Sequence, residues 1–109
     1  MRISATIVLE RRTRISGEHA THPYEAGWAS EAVFFVQASG DGRPQLEIQA
    51  QISPDGCNWV RHGDPAVMDL DTEMLDLRLT HFGGWLRLVL RGADQDNPAV
   101  VIVHLALKS

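Results

Sequence analysis

Apolar residues recur with a period of two along most of the chain. Ile3, Ala5, Ile7 and Leu9 alternate with Ser4, Thr6 and Val8. Leu46, Ile48, Ala50 and Ile52 alternate with Glu47, Gln49, Gln51 and Ser53. Leu75, Leu77 and Leu79 alternate with Asp76, Arg78 and Thr80, and Leu86, Leu88 and Leu90 with Arg87, Val89 and Arg91. A β-strand sends successive side chains to opposite faces, so each run has one apolar face and one mainly polar face. This is the pattern of antiparallel sheets with one face on a core and the other in water. Two runs break the alternation: Ala32-Val33-Phe34-Phe35-Val36 and Val100-Val101-Ile102-Val103 are apolar at both phases. Such strands are central, or their outer face is covered by another subunit or by a local loop.

Turn chemistry separates the runs. Ser39-Gly40-Asp41-Gly42-Arg43-Pro44 is expected to join two strands as a hairpin, glycine supplying positive φ. Ser53-Pro54-Asp55-Gly56 predicts a tight turn, because Pro54 presets φ and Asp55-Gly56 tolerates the left-handed region. His81-Phe82-Gly83-Gly84 and the stretch Gly92 to Pro98 link the last three strands. The one helix candidate, Asp69 to Leu77, alternates into Leu79 and reads better as a strand; His19 to Glu31 is the longest irregular stretch. About seven or eight short strands with turns between them predict an all-β fold. We expect a two-sheet antiparallel β-sandwich of jelly-roll type, one domain over residues 1–109, since a single sheet would leave its apolar face exposed. A chain of 109 residues buries roughly two thirds of its surface on folding, enough for one core. The expected core holds Ile7, Phe34, Val36, Leu46, Ile48, Ile52, Leu77, Leu79, Leu86, Leu88, Ile102 and Leu105, with Trp59 closing one end.

Composition narrows the function classes. Hydrophobic residues at 44% and charged residues at 22% argue against a disordered chain. A net charge of −4 argues against broad nucleic-acid binding, which needs clustered cations. The single basic cluster is Arg11, Arg12 and Arg14, next to Glu10; it reads as a solvated strand end or a phosphate site. No apolar run approaches the roughly 18 residues of a membrane span. Met1 to Ile7 lacks the apolar core of a secretory signal, so synthesis in the cytoplasm without export is expected. The lone Cys57 allows no internal disulfide framework.

The groups able to do chemistry are scattered. His19 and His22, near Glu18 and Glu25, could be drawn as a zinc site, but a loop fixes no geometry. Asp69-Leu70-Asp71-Thr72-Glu73, with Asp94 and Asp96, offers oxygen ligands without the glycine and terminal glutamate of an EF-hand. Cys57 has no adjacent base, Ser53 lacks a G-x-S-x-G context, and Gly83-Gly84 opens no helix. His62, His81 and His104 are dispersed, and His104 faces either a subunit contact or the outer side of a sheet. No catalytic residue, metal or cofactor is assigned, and an enzyme is not expected. Trp28, Trp59 and Trp85 are three of seven aromatic residues. Tryptophans near sheet ends plug a core, stack on sugars or fill a subunit interface.

The strand Leu46 to Ser53 followed by Ser53-Pro54-Asp55-Gly56-Cys57-Asn58-Trp59, then Phe82-Gly83-Gly84-Trp85-Leu86-Arg87-Leu88 and a final apolar strand, resembles small β-sandwich structural proteins of tailed phages and prophages. Val33 to Gly40 fits their strand and S-G turn, and the resemblance covers roughly residues 30 to 107. It implies a virion or virion-like component, either head decoration or tail-associated, with no catalytic residues to carry over. The N-terminal third departs from that pattern, and Arg11 to Trp28 could be a docking element. Discoidin-like carbohydrate-binding jelly rolls share the S-x-D-G-x-x-W turn and imply, as the alternative, a glycan-binding module using Trp59 and Trp85. The leading expectation is a non-enzymatic subunit that forms homo-oligomers, trimers included, and docks on a larger protein shell or tube. Tyr24, Trp28, Phe35 and Trp85 are its expected anchors, with Arg11, Arg12 and Arg14 as an electrostatic rim. Neither nucleic acid nor membrane is an expected partner.

Overall fold

The computed structural model describes residues 3–39, 44–69 and 71–109. Its elements are β1 (Ser4–Ile15), β2 (His19–Ala20), β3 (Tyr24–Glu25), β4 (Glu31–Ser39), β5 (Leu46–Ser53), β6 (Val60–Arg61), β7 (Ala66–Met68), β8 (Met74–Thr80), β9 (Trp85–Arg91) and β10 (Ala99–Lys108). No helix occurs among the described residues. The first sheet has the order β1-β10-β4-β8; in the second, β9 and β5 are central, with β2 and β3 along the free edge of β9 and β6 and β7 along that of β5. Every paired strand is antiparallel. The two sheets pack as a β-sandwich, as the period-two pattern predicts.

The predicted hairpin at Ser39–Pro44 is corrected by the pairing. β4 lies between β10 and β8, whereas β5 pairs with β9, β6 and β7, so the connection crosses from one sheet to the other. Gly40 to Arg43 lie outside the described residues, as does Leu70 of the acidic stretch. The links β8–β9 and β9–β10 cross between the sheets in the same way. At Gly92, where φ is +120°, a Cβ would run into the Gln45 carbonyl at the start of β5.

The core forms from the inward phases: Phe34 and Val36 of β4, Leu46 and Ile48 of β5, Leu79 of β8, Leu86, Leu88 and Leu90 of β9, and Val101, Val103, Leu105 and Leu107 of β10. Ile7, Ile52 and Leu77 pack against it, partly buried. Two expected core members lie elsewhere. Ile102 is out of phase with Val101 and Val103 and faces outward, half-buried. Trp59 does not close the core; its ring lies under Arg87 on the outer face of the second sheet.

The irregular stretch at 19–31 contains β2 and β3, too short for periodicity to reveal. Both outer rows of the second sheet are broken, and a buried polar side chain mends each break. Thr21 Oγ1 accepts the Leu88 N–H at 3.0 Å between β2 and β3. Gln49 Nε2 donates to the carbonyls of Ala50, at 2.8 Å, and Gly63, at 3.2 Å, between β6 and β7. Buried polar groups need such partners, and these two residues are 2% and 3% exposed.

Candidate assembly surface

The outward side chains of the first sheet fall into rows set by strand register. Val8, His104, Phe35 and Asp76 stand opposite one another across β1, β10, β4 and β8. The next outward row toward the chain termini is Thr6, Ala106, Val33 and Arg78, and on the other side come Ile102, Gln37 and Met74. The middle of this face is therefore apolar: Val8, Val33, Phe35, Ile102 and Ala106 are half-buried, and Met74 is 50% exposed. A sheet face in water normally carries polar side chains, so this face departs from the alternation of its own inner side.

The arginines border the same face. The β1–β10 register slips between Val8 and Glu10 and again between Glu10 and Thr13, and Arg12 takes a positive φ of 50°. These bulges push Arg11 and Arg12 out of the ladder beside Ile102, and Arg14 regains register opposite outward-facing Val100. An open groove of about 400 Å³ runs between Val8, Arg11, Arg12, Ile102 and His104. Glu10, adjacent in sequence, points the other way. It closes the gap between the two sheets, accepting the Thr13 hydroxyl at 2.6 Å and meeting His19 Nε2 at 2.7 Å. Among the described residues Arg11, Arg12 and Arg14 have no ion-pair partner. The opposite edge carries both signs: Asp76 pairs with Arg78 at 3.1 Å, and Glu73, opposite inward-facing Ala38, accepts the Ala38 N–H through its carbonyl at 3.1 Å.

Of the residues expected at an interface, the fold thus brings Phe35, Arg11, Arg12 and Arg14 together and separates the rest. Trp85 faces outward on the second sheet, on the opposite side of the sandwich, its ring against Gly56. Tyr24 pairs with Leu86 and packs on the core. Trp28 lies 39% exposed in the β3–β4 connection. Val8 was legible as an apolar residue in the otherwise polar phase of its strand; Met74 gave no such signal.

The outer face of the second sheet holds the other aromatic group. Arg87 Cζ sits 4.3 Å from the Trp59 ring centroid, and Arg87 Nε donates to Gln51 Oε1 at 2.8 Å. Stacking of this kind fixes the guanidinium and covers one face of the indole. The turn beside it is a dense hydrogen-bond knot. Ser53 Oγ accepts the Gly56 N–H at 2.8 Å and donates to Asp55 Oδ1 at 2.9 Å. Asp55 Oδ1 also accepts the Asn58 and Cys57 N–H groups, each at 2.8 Å. The Asn58 amide, then that of Cys57, holds the Asp55 carboxyl well below the usual carboxylate range. The S-P-D-G-x-N-W motif is therefore structural here: its acid organises the turn, and Cys57 is an exposed thiol within it. Among the described residues no three His, Cys, Asp or Glu side chains converge as a metal site.

Residues 28–108 match the model of a domain of unknown function, DUF6385, and the chain belongs to that family. No curated protein sequence matches it significantly. Among solved structures, the SPBc2 prophage-derived protein YomS superposes with a TM-score of 0.59 at 8% identity, over all of this chain and 96% of that one. This likeness is one of fold. A family two carbohydrate esterase from Cellvibrio japonicus matches at a TM-score of 0.48 and 16% identity, and this chain spans 34% of its length.

Proposed function

We propose that this DUF6385 member is a non-enzymatic structural subunit that oligomerises and docks on a larger protein assembly, virion-like in kind, by head decoration or tail association. The observation that carries this reading is the apolar outer face of the first sheet, Val8, Val33, Phe35 and Ile102 bordered by unpaired arginines. Contiguous exposed apolar surface rimmed by charge marks an interaction site. Edge-to-edge growth is disfavoured on three of the four edges, because β1 is bulged and the β2/β3 and β6/β7 rows are broken. That leaves the β8 edge and the face, and the face carries the apolar surface. Taking β2/β3 and β6/β7 each as one interrupted strand, two four-strand layers in the orders β1-β10-β4-β8 and β2/β3-β9-β5-β6/β7 support reading the sandwich as a jelly roll. The prophage origin of a protein with this fold supports the phage-like setting.

Phe35→Asp places a charge in the middle of the face without touching the core, since Phe34 and Val36 carry the inward phase. It should reduce the particle mass measured by light scattering to that of a monomer, with an unchanged circular dichroism spectrum. An unchanged oligomer mass would sink the reading. A glycan-binding module remains the second reading, favoured by Trp59 and Trp85 sharing the outer face of the second sheet. Reproducible glycan-array binding lost in Trp85→Ala would favour it.

A further inference from the structure

β8 is a free sheet edge without the usual guards against pairing. It bonds to β4 on one side, and among the described residues no strand bonds to its other side. The β4–β8 ladder runs from Glu31↔Thr80 to Gln37↔Met74 without a register shift, and β8 holds no proline and no inward-pointing charge. The ladder also fixes which backbone groups face outward along the edge. Ala38 donates to the Glu73 carbonyl, so Ala38 and Glu73 form a hydrogen-bonded pair, as does every second pair beyond it: Val36 with Leu75, Phe34 with Leu77, Ala32 with Leu79. The N–H and C=O groups of Met74, Asp76, Arg78 and Thr80 therefore point to the free edge. Leu75 and Leu77 face the core there but are only partly buried.

We infer that β8 pairs antiparallel with β8 of a second copy, about a two-fold axis through Leu77 and perpendicular to the sheet, joining two four-strand sheets into one of eight. The strand, Met74-Leu75-Asp76-Leu77-Arg78-Leu79-Thr80, is complementary to its own reverse. Backbone phase admits only registers that set edge-facing residues opposite edge-facing residues. Of these, Leu77 opposite the partner's Leu77 is the register that pairs the whole strand. It sets Met74 against the partner's Thr80, Leu75 against the partner's Leu79 and, twice by symmetry, Asp76 against the partner's Arg78. Shifting by one step either way opposes two aspartates or two arginines, which is unfavourable. Within one copy Arg78 Nε already holds Asp76 Oδ2 at 3.1 Å, but the arginine side chain is 84% exposed. Its Nη groups and Asp76 Oδ1 have no partner among the described residues and can bridge the two copies.

This contact is separate from the apolar face, and it places two such faces side by side on one surface. One pair of seven-residue strands buries well under the roughly 1,200 Å² of a standard interface. On its own it is weak, with a Kd of roughly 100 μM or above, so a chain with a defective face is monomeric at micromolar concentration.

Disulfide trapping in a Cys57→Ser background tests the pairing, with glutathione disulfide as oxidant and non-reducing electrophoresis as the readout. Leu77→Cys should cross-link to a dimer at least about tenfold faster than Met74→Cys or Thr80→Cys alone. The axis brings residue 77 within disulfide reach of its own copy, whereas residues 74 and 80 each lie about 20 Å from theirs. Mixing M74C with T80C should produce heterodimers about tenfold faster than either forms homodimers. Adding D76R to L77C should slow its cross-linking about tenfold, and the swap D76R/R78D should restore it. L77C no faster than M74C alone overturns the pairing. Mixing M74C and T80C without gain, or a swap that restores nothing, overturns the register and with it the axis. F35D/L77C should cross-link as L77C does; loss there assigns the contact to the apolar face and overturns the edge. Melting curves establish that each variant is folded, and M74C and T80C, both at exposed positions, keep the register testable if D76R is not.

Discussion

Gly92→Ala tests the way the two sheets are joined. Gly92 ends β9 with φ at +120°, and a Cβ there would overlap the Gln45 carbonyl oxygen and press on Leu46 Cα. Neither group can retreat. Leu46 is 1% exposed and paired with Met68, the next residue Glu47 pairs with Arg91, and the Gln45 side chain is tied to Asp69 at 2.7 Å. Positive φ at an alanine of this kind costs about 1–3 kcal/mol. Forcing a methyl into a filled site adds about 1–3 kcal/mol. The central expectation is a loss of about 4 kcal/mol, and at about 4 °C per kcal/mol for a chain of this size the melting temperature should fall by about 15 °C. Gly63→Ala is the control. Its φ is +73° but a Cβ there meets nothing within 4 Å, so only strain remains and a fall of about 5 °C is expected. Thermal melts followed by circular dichroism, with urea titration to give the free energy, measure both. If Gly92→Ala melts no lower than Gly63→Ala, the close approach of the β9–β10 and β4–β5 connections is wrong.

Leu107→Ala should cost about 2–5 kcal/mol and Ile102→Ala under about 1 kcal/mol in the monomer, because Leu107 is buried and Ile102 faces outward; equal losses in urea titration would contradict the phase of β10. Glu10→Ala should cost about 1–3 kcal/mol, since it strips Thr13 and His19 of a common acceptor between the sheets, and a melt within error of wild type would deny that role. Asp55→Asn should lower the melting temperature at neutral pH and weaken its dependence on acid. A carboxyl held below its ordinary range stabilises the fold above that range and loses the contribution as pH falls toward the folded value, so parallel pH–melting profiles for variant and wild type would exclude this.

The sandwich was legible because its strands alternate, and alternation is a local property. The inward residues of β5, β8 and β9 follow directly from it, as does the Ser53–Gly56 turn, whose bonds run between residues two and three apart. β10 was apolar at both phases, so alternation could not say which side faced in, and Ile102 was assigned to the wrong one. β2 and β3 were too short to carry a period. Their existence depends on β9 offering a free ladder and on Thr21 bridging the gap between them.

The candidate surface divides the same way. Local pattern marked Phe35, the two-sided strands and the arginine cluster as unusual. It could not group them, because Phe35, Ile102 and Val8 belong to strands far apart in sequence that become neighbours only through the β1-β10-β4-β8 order. Nor could it separate Trp85 from them, or turn Glu10 away from the arginines beside it, since both depend on which layer a strand joins and where β1 bulges. The sequence by itself determined the strands, their turn chemistry and the presence of surplus apolar surface, all set by contacts between near neighbours. Only the tertiary structure decided which sheet each strand entered and which side chains met on one face, because that choice is made by long-range pairing that buries all the inward phases at once.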